Sequence, residues 1–555
     1  MLTSRTTRRT IGGTIALALL VLAVPGGSSA ASGAPRPRAA ASASAMRMLA
    51  PPRAASQSLV VSTDKGMVEG RSTADNVSQF LGIPYAAPPV GALRWAPPQP
   101  AQAWSGVRPA MSYGNRCAQP ANGNGPRIDN EDCLYLNVYT PAHLAPGQKL
   151  PVLYMIHGGG FTTGAGDQHD GSLLVRTDDI IVVSVNYRLG PFGFLSLPGL
   201  TDINLGLLDQ EAALRWMQRN IAAFGGDPAQ VTIDGESAGG WSVCDLLASP
   251  LARGLFARAI MQSGSCDSQT SQAMRKTSLE LAAAVGCTNQ ATVLTCMRAK
   301  PEAAILTASI KFFPFVLPTA GDPVLPVAPG KAIASGDYTK VPVLIGTNHD
   351  EGRTFTQGFA SYTAQQYKQY ITSTYGSLAA QVLARYPLSA YPSPYTAAYA
   401  IGAIWTDSGF VAGIGGCPEQ NLAQEFVKTG AATYFYQFDD RHAPGLNNNL
   451  PGYQWGAGHA MELAYLWPSF NNGFSLYALL THKQLQLSRA MVQYWGAFAK
   501  TGTPAVHGQA RWPLSGTGRL MSLRQGHRSR AIAAGTFAAE HQCSFWNGAG
   551  SRYEG

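Results

Sequence analysis

Residues 235–240 read Gly-Glu-Ser-Ala-Gly-Gly and directly follow the apolar run Val231-Thr232-Ile233-Asp234. The run predicts a buried strand, and Gly239 to Leu247 reads as a helix. A Gly-x-Ser-x-Gly between strand and helix forms a sharp turn. That turn leaves the serine, Ser237, exposed at the top of a sheet with a helix N-terminus behind it. Gly and Ser are common in turns, so the motif alone is weak evidence; the strand–turn–helix order is the context it requires.

Other segments agree with such a sheet. Val152 to Ile156, Ile180 to Val185, Ala259 to Met261 and Val343 to Ile345 read as buried strands. Asp209 to Ile221 carries Ala212, Ala213, Trp216 and Met217 on one face and reads as an amphipathic helix. Strands alternating with helices imply an α/β fold, a large mixed and mostly parallel central sheet flanked by helices. No repeat and no Pro/Ser-rich linker divides the chain after residue 58. We therefore expect one domain over 58–555, with helical insertions, notably near 361–400.

The first thirty residues resemble an export signal. Arg5, Arg8 and Arg9 precede an apolar stretch, Ile15 to Val24, and Ser28-Ser29-Ala30 ends it with small residues. Ten apolar residues are too few to span a bilayer. Thr7-Arg8-Arg9 is loosely similar to a twin-arginine signal, and the export route stays open. Residues 31–57, rich in Ala, Ser, Pro and Arg, read as a flexible tether. Seven arginines and no acids lie in residues 1–57, so only +2 of the formal +9 charge belongs to the remainder. The basic balance therefore gives no warrant for nucleic-acid binding. We expect a secreted, extracellular protein with no stable membrane anchor; its oligomeric state is open.

Eight cysteines fit an oxidising compartment. Cys117 and Cys133 flank a short polar loop, Cys287 and Cys296 flank another, and Cys417 with Cys543 would tie down the C-terminus. Cys244 and Cys266 remain, either bridged or buried as thiols, because sequence does not fix connectivity. No spacing suggests a metal site, and no cofactor is implied.

A serine hydroxyl needs a base, an orienting acid and donors for the developing oxyanion. His157-Gly158-Gly159-Gly160-Phe161 follows the strand ending at Ile156 and resembles an oxyanion element; the donors would be Gly159, Gly160 and Ala238. His459 lies in a Gly-rich loop leading into a helix. Glu351 and Asp350 both follow the strand at 343–345, and spacing alone leaves the acid open between them. The order Ser237, Glu351, His459 is that expected of α/β-hydrolases. Glu236, beside the serine, reads either as a structural acid or as a source of negative field at the site. Phe161, Trp241 and Trp455 adjoin the motifs as candidate pocket residues, though large aromatics mostly serve packing. The stretch Phe312 to Pro318 is a further candidate wall.

From about residue 58 to 546 the chain resembles the type-B carboxylesterase/lipase family, which includes cholinesterases and the non-enzymatic neuroligins. The resemblance rests on Phe80 to Ala86, Glu131 to Asn137, His157 to Phe161, Asn186-Tyr187-Arg188, Gly206 to Gln210, Gly235 to Gly240 and Asp350-Glu351-Gly352. It implies a secreted serine carboxylesterase with Glu351 as acid and His459 as base. It also supports the pairs Cys117–Cys133 and Cys417–Cys543, and Cys287–Cys296 is similar to a pair in many of its carboxylesterases. Family cholinesterases hold an aromatic residue in the first disulfide loop, where it meets the choline cation. Residues 118–132 contain none, and this loop is too short for the interfacial lid of family lipases. The resemblance thus implies small to medium carboxylic esters. An adhesion module that has lost the triad, or lipase, amidase or thioesterase action on the same triad, are the alternatives.

Overall fold

The computed structural model describes residues 59–123, 125–145, 147–470 and 475–548. The expected signal (1–30) and tether (31–57) lie outside the described residues. The strands, in chain order, are β1 (Leu59–Ser62), β2 (Met67–Ser72), β3 (Val77–Pro84), β4 (Val107–Pro109), β5 (Tyr135–Pro141), β6 (Leu150–Ile156), β7 (Ile181–Val185), β8 (Gly226–Glu236), β9 (Arg258–Gln262), β10 (Gln269–Thr270), β11 (Thr319–Ala320), β12 (Val343–Asn348), β13 (Thr433–Phe438), β14 (Arg519–Leu523) and β15 (Arg530–Ala533). Thirteen of them form one sheet in the order β1-β2-β3-β5-β7-β6-β8-β9-β12-β13-β14-β15, with β4 beside β2; β10 and β11 pair separately.

Pairing is parallel from β7 through β14, antiparallel from β7 out to β1 and between β14 and β15, and parallel between β2 and β4. The central strands are buried along their whole length in β7, β12 and β13. Helices cover both faces, which is why these strands read as continuous apolar runs instead of alternating ones. The predicted helix at 209–221 spans Leu205–Asn220, and the one after Ser237 spans Ala238–Ala248. The 361–400 region folds as helices Ala364–Tyr375, Ala379–Arg385 and Thr396–Ser408. The first begins at a capping box: Gln366 N–H donates to Thr363 Oγ1 (3.2 Å) and Thr363 N–H donates to Gln366 Oε1 (2.9 Å).

Two sequence motifs meet in the core. Arg188 donates to Asp209 through Nε (2.8 Å) and Nη2 (2.7 Å), both side chains being buried. A paired, bidentate geometry is what makes charge tolerable there. All eight cysteines are bonded, as Cys117–Cys133, Cys244–Cys266, Cys287–Cys296 and Cys417–Cys543. The pair that sequence left open, Cys244 and Cys266, ties the helix after Ser237 to the segment after β9.

The chain leaves β6 to one side for β7 and returns to add β8 on the other. The crevice at the carboxyl ends of β6 and β8 is thus a topological switch point, where open α/β sheets bind ligands. Loops after β6, β8, β12 and β13 carry the residues singled out by sequence.

Candidate active site

Ser237 directly follows β8 and stands at the N-cap of the helix Ala238–Ala248 with φ 57° and ψ −124°. A positive φ at a non-glycine residue is a strained conformation that surrounding structure must enforce. Here Ser237 N–H donates to the Gln262 carbonyl (2.9 Å) and Trp241 N–H to the Ser237 carbonyl (2.9 Å). Gly239 lets the turn close, because a Cβ there would overlap the Ile156 carbonyl of β6. Ser237 keeps 9% of its surface exposed, against 1% for Glu351.

His459 Nδ1–H donates to Glu351 Oε2 at 2.7 Å. The other Glu351 oxygen accepts from Asn348 N–H (2.6 Å) and the Thr347 hydroxyl (3.2 Å). Three donors therefore fix this carboxylate. Asp350, the neighbouring candidate, points elsewhere: its Oδ2 accepts from Ala457 N–H (3.0 Å), and its own N–H donates to the Ala457 carbonyl (2.8 Å). It docks the loop that carries His459.

His459 Nε2 lies 3.2 Å from Glu236 Oε1, so the ring turns that edge toward the elbow. Burial raises Glu236 well above the ordinary carboxylate range, and the surrounding acids Glu462 and Glu351 add to this. For His459, burial opposes the charged form, but Glu236 and Glu351 outweigh it and push the imidazole up to about 9. The two effects are linked: a charged Glu236 favours the imidazolium, and a protonated Glu236 favours the neutral ring. Other histidines differ. Burial brings His157 down to about 4 and His169 to about 3, so both are neutral. His541 pairs with Asp407 (2.7 Å), but its Nε2 faces the Gln437 amide, away from any elbow serine.

Gly159 and Gly160 follow β6 with φ 110° and 61°. Their N–H groups and that of Ala238 meet no hydrogen-bond acceptor among the described residues. The Gly159 carbonyl is turned the other way, accepting from Thr162 N–H and Thr163 N–H (both 3.1 Å).

The aromatic candidates separate. Trp241 is fully buried with its ring 5.7 Å from Phe315 and 6.4 Å from Phe161, and Phe315 packs over Gly160. Phe315 falls in the 312–318 stretch. Trp455 instead packs edge-to-face on Tyr453 (5.7 Å) and against Gly445, within the main core cluster. Phe355, which the sequence reading passed over, has its ring 4.9 Å from that of His459. Its signal was its place four residues after Glu351. Glu462 was missed as well; it is fully buried and accepts from Asn348 Nδ2, the amide that also donates to the Gly458 carbonyl.

Sheet order, elbow and loop placement define an α/β-hydrolase. The Carboxylesterase family model matches residues 57–546. The chain is 36% identical to para-nitrobenzyl esterase of Bacillus subtilis (strain 168), over 82% of this chain and 92% of that one. It is 36% identical to acylcarnitine hydrolase of Rattus norvegicus (82% and 86%) and 35% identical to cocaine esterase of Homo sapiens (83% and 86%). A solved structure titled PNB esterase superposes with TM-score 0.71 at 34% identity, covering 87% of this chain and 99% of its own. The chain belongs to the carboxylesterase family and is a carboxylic-ester hydrolase.

Proposed function

We propose that the protein is a secreted serine esterase that cleaves small to medium carboxylic esters through an acyl-enzyme. The observation that carries this reading is the buried His459–Glu351 hydrogen bond with the opposite edge of His459 turned to the Ser237 elbow. Ser237 attacks the ester carbonyl while His459 Nε2 takes its proton. The amides of Gly159, Gly160 and Ala238 hold the oxyanion. His459 then protonates the leaving alcohol, and water repeats the sequence on the acyl-enzyme. Glu351, held by three donors, keeps Nδ1 protonated and stabilises the imidazolium.

Small acyl groups are favoured because Trp241 and Phe315 fill the space beside Gly160. The relatives are named as a para-nitrobenzyl esterase, an acylcarnitine hydrolase and a cocaine esterase, and para-nitrobenzyl esters, acylcarnitines and cocaine are all esters, which supports the same reaction class here. Secretion is supported by four disulfides, which persist in oxidising compartments. A panel of p-nitrophenyl esters of two to twelve acyl carbons tests the reading. It predicts the highest kcat/KM at short chains; activity confined to the longest chains would contradict it.

A further inference from the structure

The Cys117–Cys133 loop, read above only for the aromatic residue it lacks, grips the segment that follows the glycines. Gln119 lies two residues inside the disulfide and is 2% exposed. Its Nε2 donates to the Gly164 carbonyl (3.0 Å) and to the Cys117 carbonyl (3.0 Å), while its Oε1 accepts from Gly164 N–H (2.9 Å). Both polar groups of the buried Gly164 backbone are thus satisfied by one side chain.

Gly164 sits at a sensitive place. Its φ is 109°, and a Cβ at this position would overlap the Gly158 carbonyl and the His157 ring, so the chain passes too close for any other residue. The turn between Gly159 and Gly164 is closed on itself by Thr162 and Thr163 donating to the Gly159 carbonyl. Moving Gly164 therefore moves Gly159 and Gly160. The two residues just before Cys117 add further holds beyond Gly164: Arg116 pairs with Asp167 (2.8 Å), and Asn186 joins Gly166 N–H (2.8 Å) to the Asn115 carbonyl (2.8 Å). Gln119 itself is fixed by reciprocal backbone bonds with Ile128 (3.0 Å each).

We propose that Gln119 is a positioning residue for ester hydrolysis: it clamps Gly164 and so holds the Gly159 and Gly160 amides where the oxyanion forms. This rests on the assignment of those amides as oxyanion donors. Donors aimed at developing charge act on the transition state more than on bound substrate. Loosening them should therefore lower kcat and leave KM nearly unchanged.

The test uses the full chain and the variants Gln119→Ala, Gln119→Met and Gln119→Glu. Turnover is expressed per site titrated to completion with an organophosphonate, which removes differences in folded yield. An aryl trifluoromethyl ketone, whose hemiketal adduct with the serine oxygen carries the oxyanion on the former carbonyl oxygen, reports on the donors separately. We expect kcat in the Ala and Met variants to fall about 10- to 100-fold, KM to stay within about 3-fold, and ketone affinity to fall in step with kcat. Gln119→Glu, which keeps the acceptor for Gly164 N–H, should lose less. Unchanged turnover per titrated site in Ala and Met, or a loss confined to KM or to melting temperature, overturns the proposal while ketone binding by the unaltered protein leaves the oxyanion assignment standing. If the unaltered protein binds the ketone no better than the parent methyl ketone, that assignment falls, and the proposal with it.

Discussion

Glu351 Oε2 accepts the Nδ1 proton of His459 at 2.7 Å, while the carboxylate one residue earlier, Asp350, turns to the backbone of Ala457. Adjacent acids on one loop thus have separate tasks, orienting the ring and docking its loop. Glu351→Gln should lower kcat by about 10³ to 10⁴, the scale seen when a triad acid loses its charge with its shape kept. Asp350→Asn keeps an oxygen for Ala457 N–H and should cost about 10-fold or less. Steady-state kinetics on both variants checks the ranking; the reverse order would reassign the acid.

The pH dependence should respond to Glu236. Its negative charge, 3.2 Å from His459 Nε2, favours the imidazolium and so raises the pKa of the base. Glu236→Gln removes that charge. The base should then lose its proton at lower pH, and the acid limb of the kcat/KM profile should move down by about one unit or more. A limb that stays in place would show that Glu236 is uncharged across that range, and one that moves up would contradict the attraction between Glu236 and the imidazolium.

The acyl preference should follow Trp241. Its ring stands against Phe315, which packs over Gly160. Trp241→Ala should raise the octanoate-to-acetate ratio of kcat/KM for p-nitrophenyl esters by about 10-fold or more, given what each methylene is worth in an apolar pocket. An unchanged ratio would place the acyl chain elsewhere.

Cys417–Cys543 closes the longest loop, with a sequence separation of 126. In the chain-entropy model such a link stabilises by about 5 kcal/mol. Replacing both cysteines by serine should lower the denaturant midpoint markedly and leave kcat per titrated site nearly unaltered. A large loss of kcat with the midpoint retained would tie the C-terminus to catalysis.

Much of this architecture was legible in the residues. Val152 to Ile156 and Val343 to Ile345 announced their strands because strands buried on both faces carry apolar runs. The elbow was legible because its turn demands small residues at fixed offsets, as Gly239 against the Ile156 carbonyl illustrates. Side-chain direction was not legible. Asp350 and Glu351 are chemically alike and adjacent, so spacing could not say which carboxylate meets His459. Likewise, Trp455 adjoins the His459 loop in sequence yet packs on Tyr453 in the core. The clamp of Gln119 on Gly164 spans 45 residues and involves a side chain meeting a backbone, which leaves no periodic trace in the sequence.

The central claim is that Ser237 carries the acyl group. Peptide mapping by mass spectrometry after reaction with an organophosphonate tests it most directly, alongside hydrolysis by Ser237→Ala. One adduct per chain should fall on Ser237, appearing in step with the loss of esterase activity, and Ser237→Ala should lose turnover by about 10⁶. An adduct on another residue, or undiminished hydrolysis by Ser237→Ala, would contradict it.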